Sequence, residues 1–139
     1  MGITRIGNKR LRKAARRWQH DVITDVKRVV VETANRIKAE AIARAPRDTG
    51  DLIKSIEVEI LNDGLLAIVR VGVHYAIYVE YGTGIYAEGG KGRKTPWTYY
   101  SDELNRWVTT KGMAPQPFWR PAIQIASEYF VSEMRKIGR

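Results

Sequence analysis

Three observations predict an α+β fold, with a long N-terminal helix and a C-terminal helix packed on a small antiparallel sheet. Apolar residues recur at three- and four-residue steps from about Lys9 to Ala45, with no Gly or Pro to interrupt them. Two segments of alternating apolar and polar character flank Asn62-Asp63-Gly64, a hairpin signal. A second helical pattern follows Pro121, and between these parts lies a glycine-rich polar insertion that itself contains a β-hairpin. The 139 residues fit one domain. Within it, 1–17 is a basic segment, 18–84 and 116–139 form the core, and 85–115 is a projecting arm.

The first helix carries Leu11, Ala15, Trp18, Val22, Val26, Val29, Ile37 and Ala41 on its apolar stripe. Pro46 disfavours helix at Ala45 and ends it. At 1.5 Å per residue such a helix is about 50 Å long, more than the width of so small a domain. Either its basic first turns overhang the core or a break falls near Trp18–Asp21. Pro46–Gly50 then forms a turn in which Thr49 is placed to cap a short helix, with Asp51 in its first turn.

Ile56, Val58 and Ile60 alternate with Glu57 and Glu59, so this strand has one buried and one wet face. Leu65–Val73 pairs back on it and is apolar on both faces, which calls for cover on both. The long helix can supply one layer and a neighbouring subunit the other. In Tyr75–Tyr81, β-propensity competes with a helical face through Ala76 and Val79. The reading here is a short helical turn stopped by Gly82. His74–Gly84 and Gln116–Pro121 are expected to meet and form the root of the arm.

Residues 85–115 hold too many glycines around Lys91, Arg93 and Lys94 for a packed element. The run WTYYSDELNRWVTT reads as a hairpin closed by Lys111-Gly112. It has too few apolar positions for a core of its own, and an isolated two-stranded hairpin is marginal in water. Trp97, Tyr99, Tyr100 and Trp107, with Phe118 and Trp119 of the adjoining QPFW segment, are therefore the candidate subunit-interface residues. The alternative is that the aromatics fold back on their own domain. Gln116–Arg120 is expected to be extended. Pro121 suits the first turn of the closing helix, whose buried face is Ala122, Ala126, Tyr129, Phe130, Met134 and Ile137.

The net charge is +9, yet seven of the 24 basic residues and none of the 15 acidic ones lie in the first 17 positions. Arg5, Lys9, Arg10, Arg12, Lys13, Arg16 and Arg17 thus form an N-terminal patch on an almost neutral remainder. Such a patch attracts phosphate backbones or an acidic connector surface, or it is a solvated terminus. No apolar run reaches the roughly 18 residues that a membrane span needs. The charged N-terminus lacks the apolar segment of a secretory leader. The chain has no cysteine, which excludes disulfides and thiolate metal sites and fits a reducing cytosol.

Catalytic signals are sparse. His20 and His74 are the only histidines and have no ligand partners nearby in sequence, so neither metal nor cofactor is expected. Glu80 lacks a second acid, base or nucleophile in a motif. It reads as structural, in an ion pair with an arginine such as Arg120. GTGIYAEGGKGRK lacks the spacing of a phosphate loop. Aromatics beside Arg93 and Lys94 could stack single-stranded nucleic acid, but no RNA-binding motif accompanies them.

Three groups of residues occur in order: Ala45-Pro46 with Thr49-Gly50-Asp51-Leu52 and Ser55-Ile56; Tyr75-Ala76 with Val79-Glu80-Tyr81-Gly82-Thr83; and Gln116-Pro117-Phe118-Trp119-Arg120-Pro121-Ala122. This set, spanning about residues 20–135, resembles the small tail-component proteins of long-tailed bacteriophages and prophages, which act in tail completion and head–tail joining. The basic first 17 residues lie outside the resemblance. Family members often have a short link where this chain has its long hairpin. The resemblance implies a non-catalytic virion protein, assembled in the host cytoplasm as a ring in the neck or upper tail, commonly hexameric. It also implies contacts with a connector or stopper, a tail terminator or the tube, while the basic N-terminal segment, outside the resemblance, is expected to make non-specific contact with packaged DNA or to dock on the connector. A small basic nucleic-acid-binding module is the alternative.

Overall fold

The computed structural model describes residues 2, 6–47 and 50–139. Helix α1 spans Lys9–Arg44 without a break, so the overhang is the alternative realised. Asn8 caps it, its Oδ1 accepting the Leu11 N–H at 2.9 Å. At the other end Ala45 turns to extended backbone ahead of Pro46. Helix α2, Asp51–Lys54, follows. Thr49, the expected cap, lies outside the described residues. The N-cap position itself is Gly50, at φ 73°, and it makes no side-chain cap.

Strands β1 (Ile56–Leu61) and β2 (Leu66–Val71) pair antiparallel, with Ile56 opposite Val71, Val58 opposite Val69 and Ile60 opposite Ala67. These pairs make the inner face, against which α1 lies. Leu65 and Val73, expected at the ends of the second strand, fall outside β2, although Gly72 N–H still reaches Ser55 O at 3.0 Å. The turn places Asn62, Asp63 and Gly64 at positive φ, and Lys27 Nζ holds Asp63 to α1 at 2.7 Å. That contact holds the Asp63 carboxyl below the usual carboxylate range.

Helix α3, Ala76–Tyr81, is the expected short helix, with Gly82 at φ 78° as its stop. Strands β3 (Trp97–Ser101) and β4 (Arg106–Thr110) form a second two-stranded sheet that bonds to no strand of the first. Helix α4, Trp119–Lys136, runs antiparallel to α1 and packs chiefly against it rather than against the sheet. Its start meets Ala41 and Ala45, while Gly138 beyond its end lies beside Trp18. Trp119 and Arg120 are helical, not extended as expected, because Phe118 already adopts αR backbone.

The core is built from Ala41, Ala45, Leu52, Ile56, Val79, Phe118 and Ala122, with Val29, Ala34 and Ala126 buried along the α1–α4 seam. Alanines on both helices let the backbones approach closely. Further along the seam the cover thins. Tyr129, Phe130, Met134 and Ile137 are only half-buried, and Leu11 and Trp18 are 59% exposed, against the expectation that all of these would be inside. For Leu11 and Trp18 the reason is length: α4 ends at Lys136, Gly138 just beyond it lies beside Trp18, and no other helix among the described residues packs on the turns of α1 before it.

Candidate functional site

Glu80 organises the junction from which the arm leaves. It is 4% exposed and sits near the C-terminal end of α3. Its Oε2 accepts the N–H groups of Phe118 and Trp119 at 2.8 and 2.9 Å, and its Oε1 accepts those of Arg120, from the backbone at 3.0 Å and from Nε at 2.8 Å. Helix α4 has no side-chain cap of its own. The carboxylate therefore satisfies the orphan amides at its start and meets the positive end of its dipole. Burial alone would raise the Glu80 carboxyl. The amides of Trp119, Arg120 and Phe118 and the Arg120 guanidinium outweigh burial and hold it below its ordinary range.

Arg120 extends this connection into the insertion. Its guanidinium reaches both carboxylate oxygens of Glu88, at 3.1 and 2.7 Å, and lies over the Tyr81 ring at 4.6 Å. The Arg120 contact holds the Glu88 carboxyl low. A buried acid that accepts four hydrogen bonds is poorly suited to take a proton, so the arrangement serves structure rather than acid–base chemistry.

The two stretches at the arm root meet through backbone. Thr83 N–H donates to Met113 O at 2.9 Å, Ile85 N–H to Lys111 O at 3.1 Å and Gln116 N–H to Val79 O at 2.8 Å. Here Gly84, Gly92 and Gly112 are packed, contrary to the expectation for this glycine-rich stretch, while Gly89 and Gly90 stand in open space as expected. A Cβ on Gly84 would stand 1.9 Å from Lys111 O, and one on Gly112 would stand 2.1 Å from Thr83 O. Main chain touches main chain, and only glycine permits that approach. Glu88 and this glycine stitching were not found from sequence. A helix start lacking a local cap, at Phe118, was the available signal for the distant carboxylate.

Beyond the root, β3 and β4 pair Trp97 with Thr110, Tyr99 with Val108 and Tyr100 with Trp107. The expected interface residues are therefore divided: Trp97 and Tyr99 share one face, Tyr100 and Trp107 the other. Tyr100 and Trp107 meet edge to face at 5.5 Å, and the Tyr100 hydroxyl bonds Asn105. Trp107 is 70% exposed, Tyr99 45% and Tyr100 44%. Trp97 is half-buried, with Arg93 5.6 Å from its ring. Phe118, expected at an interface, is 1% exposed and belongs to the core, because the capped start of α4 turns it inward. Trp119 is half-buried and lines a cleft of about 250 Å³ between α1, β2 and α4.

Lys9, Arg10, Arg12, Lys13, Arg16 and Arg17 are all exposed on the overhanging turns, and Arg5 lies outside the described residues. No group of residues suited to a metal ion occurs among the described residues, and no helix is long and apolar enough to cross a membrane.

Residues 8–82, more than half of the chain, match the family model described as "Bacteriophage HK97-gp10, putative tail-component". The match begins at the start of α1, so the basic turns from Lys9 onward lie inside it, where the sequence reading had placed them outside. It ends at Gly82, before the arm and before Gln116–Ala122. No curated protein and no solved structure matches the chain. On this family match the chain belongs to the HK97 gp10-like family of structural phage tail components.

Proposed function

We propose that this tail component forms a ring at the neck or upper tail, where it joins or completes the head–tail connection. The observation that carries this reading is the arm. Its two strands expose Trp107, Tyr99 and Tyr100, and most of their contacts are with each other. Aromatic side chains on a marginal hairpin are suited to burial against another chain. In a closed ring each modest contact recurs at every subunit, so weak arm contacts add up to a firm assembly. Six copies, flanked by the connector or stopper on one side and the terminator or tube on the other, are the arrangement this reading adopts. The exposed cations of α1 face packaged DNA or an acidic connector. The particle is assembled in the host cytoplasm and the protein remains in the virion.

Trp97 and Thr110 are cross-strand partners, so a short glycine link can replace residues 97–110. The shortened protein is expected to fold and to leave heads and tails unjoined, scored by electron microscopy and infectious titre. Full virions from the shortened protein would reject the role of the arm.

The cation cluster on α1 favours one other reading, a basic module that binds nucleic acid by itself. That reading predicts DNA affinity in the purified protein that falls steeply with salt. Absence of binding at low salt removes it.

A further inference from the structure

Two apolar surfaces of this molecule lack cover, and one fits the other. The first is the overhang of α1. At roughly 100° per residue, Leu11, Ala15 and Trp18 fall on one narrow stripe, Arg10 and Arg12 flank it, and Lys9, Lys13, Arg16 and Arg17 spread over the far side. Leu11 and Trp18 are each 59% exposed. The second is the outer face of the β1–β2 sheet, where the register places Glu57, Glu59, Leu61, Leu66, Ile68 and Arg70. Leu61 is 37% and Leu66 46% exposed, with Leu65 beside them at 47%. Glu59 is paired with Arg70 at 2.7 Å, and Glu57 has no ion-pair partner among the described residues.

We propose that the overhanging turns of α1 in one copy pack, stripe inward, on the outer face of the β1–β2 sheet of the next copy. The proposal rests on the ring reading above and names the surfaces that close the ring. A sheet with apolar residues on both faces is covered by a layer on each, and α1 of the same copy already supplies the inner one. The same copy's overhang cannot supply the outer one, because it continues the unbroken helix that lies on the inner side. Charge selects the occupant. The arm tip carries Asp102 and Glu103 and would set acids against Glu57 and Glu59. The overhang sets Arg10 and Arg12 beside them, and its remaining cations stay outward, free for a polyanion. Because the two surfaces differ, the contact is head-to-tail, the kind that generates rings. Three helical turns on two strands bury less than the roughly 1,200 Å² of a free-standing complex, so the contact holds where ring closure repeats it.

The absence of cysteine in the chain makes a direct test clean. Ala15→Cys and Leu66→Cys both alter exposed positions, so both variants fold. Tails assembled from an equal mixture of the two are oxidised and run on a non-reducing gel. The expected result is a mixed 15–66 disulfide at least several-fold above that of Ala15→Cys mixed with Glu128→Cys, whose second cysteine lies on the exposed side of α4. Tails that contain the protein but give no excess 15–66 link overturn this contact and leave the ring reading standing. A dominant 15–15 link indicates overhangs paired with each other and also overturns it. Copies that never adjoin in assembled tails overturn both.

Discussion

The two hairpins of this molecule are nearly the same size and are held in opposite ways. Strands β1 and β2 lie on α1, their root closed by Ile56 at 1% exposure and their turn tied to the helix through Lys27 and Asp63. Among the described residues strands β3 and β4 pack on no helix as β1 and β2 do, and they are held at the root, by main-chain contacts at Gly84 and Gly112 and by the Arg120–Glu88 pair. The first is fixed at both ends, by apolar burial at its root and an ion pair at its turn. The second is fixed at one end, and its aromatic faces stay open. The first hairpin is thereby held to its own domain by α1, and the second by its root.

The largest effect is expected at the carboxylate that both regions share. Glu80→Ala leaves the amides of Phe118, Trp119 and Arg120 at the start of α4 without their acceptor, at a cost of about 1–3 kcal/mol for each buried donor left unpaired. Chemical denaturation would measure it. The pH dependence follows in sign. The folded state holds the Glu80 carboxyl low, so its contribution is complete above the unfolded value of about 4.3 and is lost as pH falls through the folded value. Glu80→Gln should therefore flatten the acid limb of a stability-versus-pH curve. An acid limb identical to that of the unmodified protein would show that the junction does not depend on this charge.

Next comes Ile56→Ala, which opens a cavity under the first hairpin and should cost about 2–5 kcal/mol. Gly84→Ala acts on the second hairpin alone. The added methyl meets Lys111 O, and the cost is about 1–3 kcal/mol or release of the arm from its root. Hydrogen exchange separates the outcomes: amides of 97–110 should lose protection while those of 56–71 keep it. Equal loss in both would end the contrast between the hairpins. Trp107→Ala should be the mildest for folding, within about 0.5 kcal/mol, because the side chain lies mostly in solvent. Its expected phenotype is loss of joined particles from a protein that melts normally.

Much of this was legible without coordinates where the cause was local. Pro46 set the end of α1, Asn62-Asp63-Gly64 set the first turn, and Gly82 set the stop of α3. The ordered residues around Ala45-Pro46 and Tyr75–Thr83 pointed to phage tail components, the family that the chain matches. The periodic stripe through Leu11 and Trp18 misled, because periodicity reports what a helix could bury and not where its partner stops. Gly84 and Gly92 misled likewise, unlike Gly89 and Gly90, since composition cannot tell a loose loop from backbones pressed together.

By itself the sequence determined the elements, their order and the concentration of positive charge at one end of the first helix, since propensity, caps and turns act within a few residues. Only the tertiary structure decided that Glu80 caps a helix 38 residues away, that Phe118 lies inside while Trp107 lies outside, and that α4 leaves the first turns of α1 bare. Those outcomes depend on which surfaces are brought together and where one element ends against another, and no local preference encodes that distance.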